Sequence, residues 1–111
     1  MTWENLENLT QLEDIKKESE QKSILIFKHS TSCSISGMAL DRLKRNWNEK
    51  ETSHIKPYYL DLLSFREISN MVATEFDVEH QSPQIILVKN GEATYFTSHM
   101  GISYKDILSN A

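Results

Sequence analysis

Apolar residues in this chain fall into two rhythms. From Leu6 to Glu20, Leu9, Leu12, Ile15 and Ser19 fall on one side of a helix, with Glu13, Asp14, Lys16, Lys17 and Glu18 around them and Asn8 or Thr10 as the cap. Ser23-Ile24-Leu25-Ile26-Phe27 is instead short, continuous and rich in β-branched and aromatic residues, which predicts a strand covered on both faces. The helical period returns from Cys33 to about Lys50, placing Ile35, Met38, Ala39, Leu43 and Trp47 toward a sheet and Asp41, Arg42, Lys44 and Arg45 toward water.

Ile55 to Leu60 predicts a second strand, in which Pro57 lacks a donor and marks a strand start or an unpaired edge. Its Tyr58 and Tyr59 are expected to pack rather than react. Ser64 to Phe76 predicts a helix with Ile68, Met71, Val72 and Phe76 inward and Ser64 with Glu67 at capping-box spacing. Gln84 to Val88 and Ala93 to Thr97 predict antiparallel strands joined across Lys89-Asn90-Gly91-Glu92. A last helix from Ser103 or Tyr104 to Ser109 is expected to bury Tyr104, Ile107 and Leu108, with Ser103 as its N-cap.

A crossover helix makes the first two strands parallel and a tight turn makes the last two antiparallel. The expectation is an α/β fold with a four-stranded mixed sheet flanked by helices. No linker interrupts it, so residues 1–111 read as one domain.

Composition narrows the function. With 39% hydrophobic and 25% charged residues the chain has material for a core, and 12 basic against 16 acidic residues leave no broad surface for a phosphate backbone. Nucleic acid is not an expected partner. Nor is a membrane, since no apolar run approaches the roughly 20 residues of a span. One cysteine makes no internal disulfide, and the N-terminus lacks the pattern of a secretory signal; a reducing, cytoplasmic location is expected.

That cysteine carries the candidate chemistry. A lone Cys is commonly a buried hydrophobe, but Cys33 follows a polar loop and opens a helix, where unpaired N–H groups and the helix dipole stabilise a thiolate, with Lys28 or a charged His29 as possible additions. Ser36, three residues on, stands where a dithiol exchange protein carries its resolving cysteine. Its hydroxyl can donate to Cys33 but cannot form a disulfide; the alternative is an ordinary first-turn serine. A phosphate-binding Cys-x5-Arg loop is not expected, because Ala39 occupies the arginine position. Arg42 and Arg45 offer an anion patch or simply a solvated helix face, and His54, His80 and His99 show no metal-ligand spacing, so no metal site is assigned.

His29-Ser30-Thr31-Ser32-Cys33-Ser34-Ile35-Ser36 before a helix resembles the CxxS active-site turn of thioredoxin-like proteins. Together with Tyr58-Tyr59-Leu60-Asp61-Leu62, Ser82-Pro83-Gln84, Lys89-Asn90-Gly91 and Ser98 to Tyr104, it is similar to the monothiol bacilliredoxin family, redox-active proteins of the bacillithiol system grouped as general stress proteins. Ser34 and Ile35 depart from the CGFS form of iron-sulfur monothiol glutaredoxins, and the CGC form of other bacilliredoxins is absent.

The resemblance implies a thioredoxin-like fold with Cys33 as the catalytic thiol and a cis Ser82–Pro83 bond beside it. It implies that Ser82 receives the extended end of a thiol substrate and that Pro83 shapes the shelf. By likeness to glutaredoxins, Gly101, Ile102 and Ser103 supply N–H donors for a carboxylate of the small thiol. The implied reaction removes bacillithiol from protein mixed disulfides, with S-bacillithiolated proteins, bacillithiol and a dithiol bacilliredoxin as partners and no tightly bound cofactor. The alternative is a non-enzymatic redox-sensing or stress-response interaction domain in which Cys33 is modified but passes nothing on.

Overall fold

The computed structural model describes residues 1–111. In chain order the elements are β1 (Glu4–Asn5), α1 (Thr10–Glu18), β2 (Ser23–His29), α2 (Ser34–Asn46), β3 (Ile55–Asp61), α3 (Arg66–Glu75), β4 (Gln84–Lys89), β5 (Glu92–Ser98), a 3-10 turn at His99–Gly101 and α4 (Tyr104–Asn110). The four expected strands are present, with β2–β3 parallel and β2–β4 and β4–β5 antiparallel. A fifth, the 2-residue β1, adds to the edge against Tyr58 and Tyr59, giving the order β1-β3-β2-β4-β5. Because β1 reaches no further, Pro57 stays unpaired on that side, where its missing donor costs nothing.

Alternation along β2 divides the apolar residues into two layers. Ile24 and Ile26, with Tyr58, Leu60, Ile86 and Val88, pack under Leu12 and Ile15 of α1 and Ile68 and Val72 of α3. Leu25 and Phe27, with Ile55, Ile85 and Leu87, pack under Ala39, Leu40 and Leu43 of α2 and Ile107 of α4. Every residue of β2 is buried, as a central strand covered on both faces must be.

Helix faces and caps differ from expectation in detail. In α2 the buried stripe is Ser36, Ala39, Leu40 and Leu43, a regular i, i+3, i+4, i+7 face, while Ile35 and Met38 are 44% and 60% exposed. In α1, Leu9 lies ahead of the helix and is exposed; Asn8 accepts the Gln11 N–H through its side chain. The capping box at Ser64 does not form, because its hydroxyl and N–H turn back to the Asp61 carboxylate and α3 starts two residues later. Ser103 does cap α4, accepting from Asp106 N at 3.4 Å; Ile107 is fully buried, Tyr104 and Leu108 only partly.

The β4–β5 hairpin turns on Asn90 (φ 52°) and Gly91 (φ 79°), the paired left-handed conformations of a two-residue turn that matches strand twist. Its tip is tied to the end of α1, with Asn90 N donating to Ser19 O and Gly91 N to Ser19 Oγ, each at 2.8 Å.

Candidate active site

β2 delivers the thiol. After His29 the chain turns through Ser30–Cys33, with Cys33 N donating to Ser30 O at 3.1 Å, and α2 begins. Cys33 is the N-cap in extended backbone conformation; its carbonyl accepts from Gly37 N at 3.1 Å and its side chain caps no N–H. The thiol is free and partly exposed, at the positive end of a 13-residue helix.

Ser36 is wholly buried and is bonded elsewhere than expected. Its Oγ accepts from Ser30 N at 3.0 Å and lies 2.7 Å from His29 Nδ1. The hydroxyl keeps a second lone pair and its hydrogen, so it either accepts from or donates to Nδ1, and both arrangements suit a neutral ring. Burial, the largest influence on His29, favours that form and holds its pKa below the ordinary histidine value. The serine therefore locks the loop before Cys33 to the first turn of α2, and its hydroxyl is engaged by the imidazole rather than the thiol. Nor does His29 supply the positive charge considered above. Lys28 projects into the other layer, where Nζ donates to Ser69 O of α3 at 3.1 Å.

The start of β4 lies at the same end of the sheet. The register pairs Lys28 with Gln84, so the Ser82–Pro83 segment leaves the sheet at the same end as the Ser30–Cys33 loop. The Ser82–Pro83 bond is cis. Pro83 O accepts from His99 N at 3.0 Å, which joins the 3-10 turn to the proline; the Ser82 hydroxyl is buried without a partner. This turn packs against α2. A Cβ on Gly101 would meet Thr97 Oγ1, so a larger residue there needs the Thr97 side chain to turn away. Ile102 is buried, its N–H donating to His99 O at 3.3 Å and its carbonyl accepting from Arg42 Nη2 at 2.9 Å. Arg42 thus braces the segment, and with Asn46, Ser103, Tyr104 and Lys105 it lines an open hollow of about 250 Å³ at the start of α4.

Sequence reasoning did not anticipate the polar groups beneath the proline. Gln84 is buried, its amide donating to Glu79 O at 3.0 Å and accepting from Gln81 N at 3.4 Å, and Lys28 Nζ also lies 3.2 Å from His80 Nδ1. A lysine directly after the apolar run of β2, still within the strand, was the only signal. No group of three His, Cys, Asp or Glu side chains converges to hold a metal, and no helix is long and apolar enough to cross a membrane.

The sequence matches the family described as monothiol bacilliredoxin BrxC over residues 4–107. Among solved structures, the chain is similar to a putative oxidoreductase with a thioredoxin fold, at 28% identity and TM-score 0.81, covering 96% of this chain and 91% of that one. Fasciola hepatica thioredoxin shares the fold at 15% identity and TM-score 0.71, with 96% and 93% covered, as does oxidised thioredoxin from Plasmodium falciparum at 12% and 0.72, with 99% and 100% covered.

Proposed function

The chain belongs to the monothiol bacilliredoxin family, and from that premise we propose that Cys33 removes bacillithiol from protein mixed disulfides. The family's chemistry is thiol exchange through the single cysteine, carried on a thioredoxin-like α/β fold. In the proposed reaction the Cys33 thiolate attacks the bacillithiol sulfur of a protein–S–S–bacillithiol substrate. That S–S bond breaks, the protein leaves as a thiolate that takes a proton from water, and Cys33 carries the bacillithiol. A second thiolate, from free bacillithiol, another protein or a dithiol bacilliredoxin, then attacks the adduct and restores Cys33.

One observation carries this reading: the free thiol opens α2 where the second thiol of an exchange pair is replaced by Ser36, buried and locked to His29. Such a site accepts an adduct and cannot resolve it alone. In this proposal Pro83 forms the shelf, Ser82 receives the extended substrate, and Gly101 and Ser103 present backbone donors to a small-thiol carboxylate. Ile102, with its N–H and carbonyl already engaged, anchors that segment. The chain acts as one domain in a reducing cytoplasm, with no tightly bound cofactor.

The test follows intact masses of the reduced protein mixed with a bacillithiolated model protein, a matched glutathionylated protein, and a Cys33→Ser control. Loss of bacillithiol from the substrate with its transient appearance on Cys33, and no transfer by Cys33→Ser, is the expected result. Equal rates on both substrates overturn the bacillithiol assignment. An adduct on Cys33 that is never passed on turns the reading to a redox sensor.

A further inference from the structure

Lys28 is a buried charge without a counter-ion. Its side chain has no solvent exposure, none of the ion pairs includes it, and burial pushes its pKa down to about 8. Its two contacts are Ser69 O on α3 and His80 Nδ1, and Ser69 Oγ lies 3.5 Å from the same ring nitrogen. Replacing such a charge by an apolar side chain of similar volume is commonly neutral or stabilising, so fold stability alone does not account for it.

What the ammonium holds is the approach to the proline. His80 lies three residues before Pro83, and Gln84, opposite Lys28 in the sheet, ties the backbone on either side of His80 through Glu79 O and Gln81 N. The side chains of Lys28 and Gln84 thus tether one short loop from beneath, the first through a ring and the second through the backbone. We propose that Lys28 and His80 are a positioning pair for the Ser82–Pro83 shelf, engaged while His80 is neutral and released when it is protonated.

The reason is donor and acceptor bookkeeping. An ammonium has no lone pair, so it bonds Nδ1 only when that nitrogen carries no proton. Protonating His80 sets two cations against each other inside the fold. The charges that act on His80 are both positive, Lys28 from β2 and Arg66 from α3, while β4 offers only the neutral amide of Gln84; burial and these cations hold its pKa below the ordinary value. The shelf is therefore expected to lose its tether in acid. The pair touches no reacting atom, so its effect is on substrate binding.

This inference rests on the thiol-transfer reading, and its test separates the two. KM and kcat for release of the small thiol from the mixed disulfide are measured between about pH 7 and pH 5.5, where Lys28 stays an ammonium, for wild type, Lys28→Met and His80→Gln. At neutral pH, Lys28→Met is expected to raise KM about fivefold with kcat within about twofold, the signature of lost binding rather than lost chemistry. His80→Gln keeps an acceptor for Lys28 at every pH, so its KM stays flat where that of the wild type rises in acid. Every other titrating group is common to those two proteins. In NMR spectra, the Ser82 amide of the wild type shifts in step with the His80 ring, and this coupling is absent in Lys28→Met. An unchanged KM in folded Lys28→Met, or parallel acid profiles for wild type and His80→Gln, overturns the pair; if Lys28→Met does not fold, the His80→Gln profile decides. Absence of transfer by the wild type overturns the function instead, and the coupled NMR titration then still decides the pair.

Discussion

The two ends of β2 are buried alike and built from opposite materials. Ile24 to Phe27 send apolar side chains alternately into the two layers, each worth about 1.5–3 kcal/mol of burial. Lys28, His29 and, just past the strand, Ser30 are buried too, yet each is polar and each meets a partner from a helix or from the loop before the proline. Hydrogen bonds of this kind add only about 1 kcal/mol net, but leaving one buried partner unsatisfied costs about 1–3 kcal/mol. One half of the strand therefore supplies stability. The other supplies orientation, and the thiol loop and the proline loop both depart from it.

Substitutions in the two halves should separate those roles. The largest effect on stability is expected from Phe27→Ala, which empties a site between β2 and α2 and should lower unfolding free energy in urea by about 3–5 kcal/mol. Ser36→Ala orphans His29 Nδ1 and the Ser30 N–H together, each at the low end of about 1–3 kcal/mol because both residues keep some exposure, with an expected total of about 2–3 kcal/mol. If Ser36→Ala costs more than Phe27→Ala, the division along the strand is wrong.

The smallest effect is a response to acid. His29 and His80 both have folded-state pKa values below the ordinary one, so as pH falls through the histidine range the unfolded chain takes up protons first. Stability contributed by the neutral rings is complete above the unfolded pKa. It declines as pH drops below about 6.5 and levels once the folded rings are protonated. A His29→Gln, His80→Gln double variant should show a shallower decline in urea midpoint over that interval, while Phe27→Ala shifts the curve downward and keeps its slope. A double variant as steep as the wild type would place the acid sensitivity outside the polar end.

Much of this was legible in the amino-acid order because it depends on neighbours in the chain. The apolar run of β2, the Asn90-Gly91 turn, the Ser103 cap and the placing of Cys33 at a helix start all follow from period and local backbone chemistry. β1 escaped detection because two exposed residues carry no period; pairing with Tyr58 and Tyr59 makes them a strand. The face of α2 was misread because its first turns are apolar on more than one side. Burial of Ser36 against His29 selects the stripe and leaves Ile35 and Met38 in water.

The amino-acid order was enough for every α-helix and strand but β1, for the mixed pairing of the four long strands and for the one thiol on which exchange chemistry can run. Tertiary structure alone decided what surrounds that thiol. Ser36 was turned from the sulfur to an imidazole, and Lys28 was carried 41 positions along the chain to Ser69 and 52 to His80. Such contacts leave no local trace, because buried polar groups seek partners in space and the folded sheet determines which are within reach.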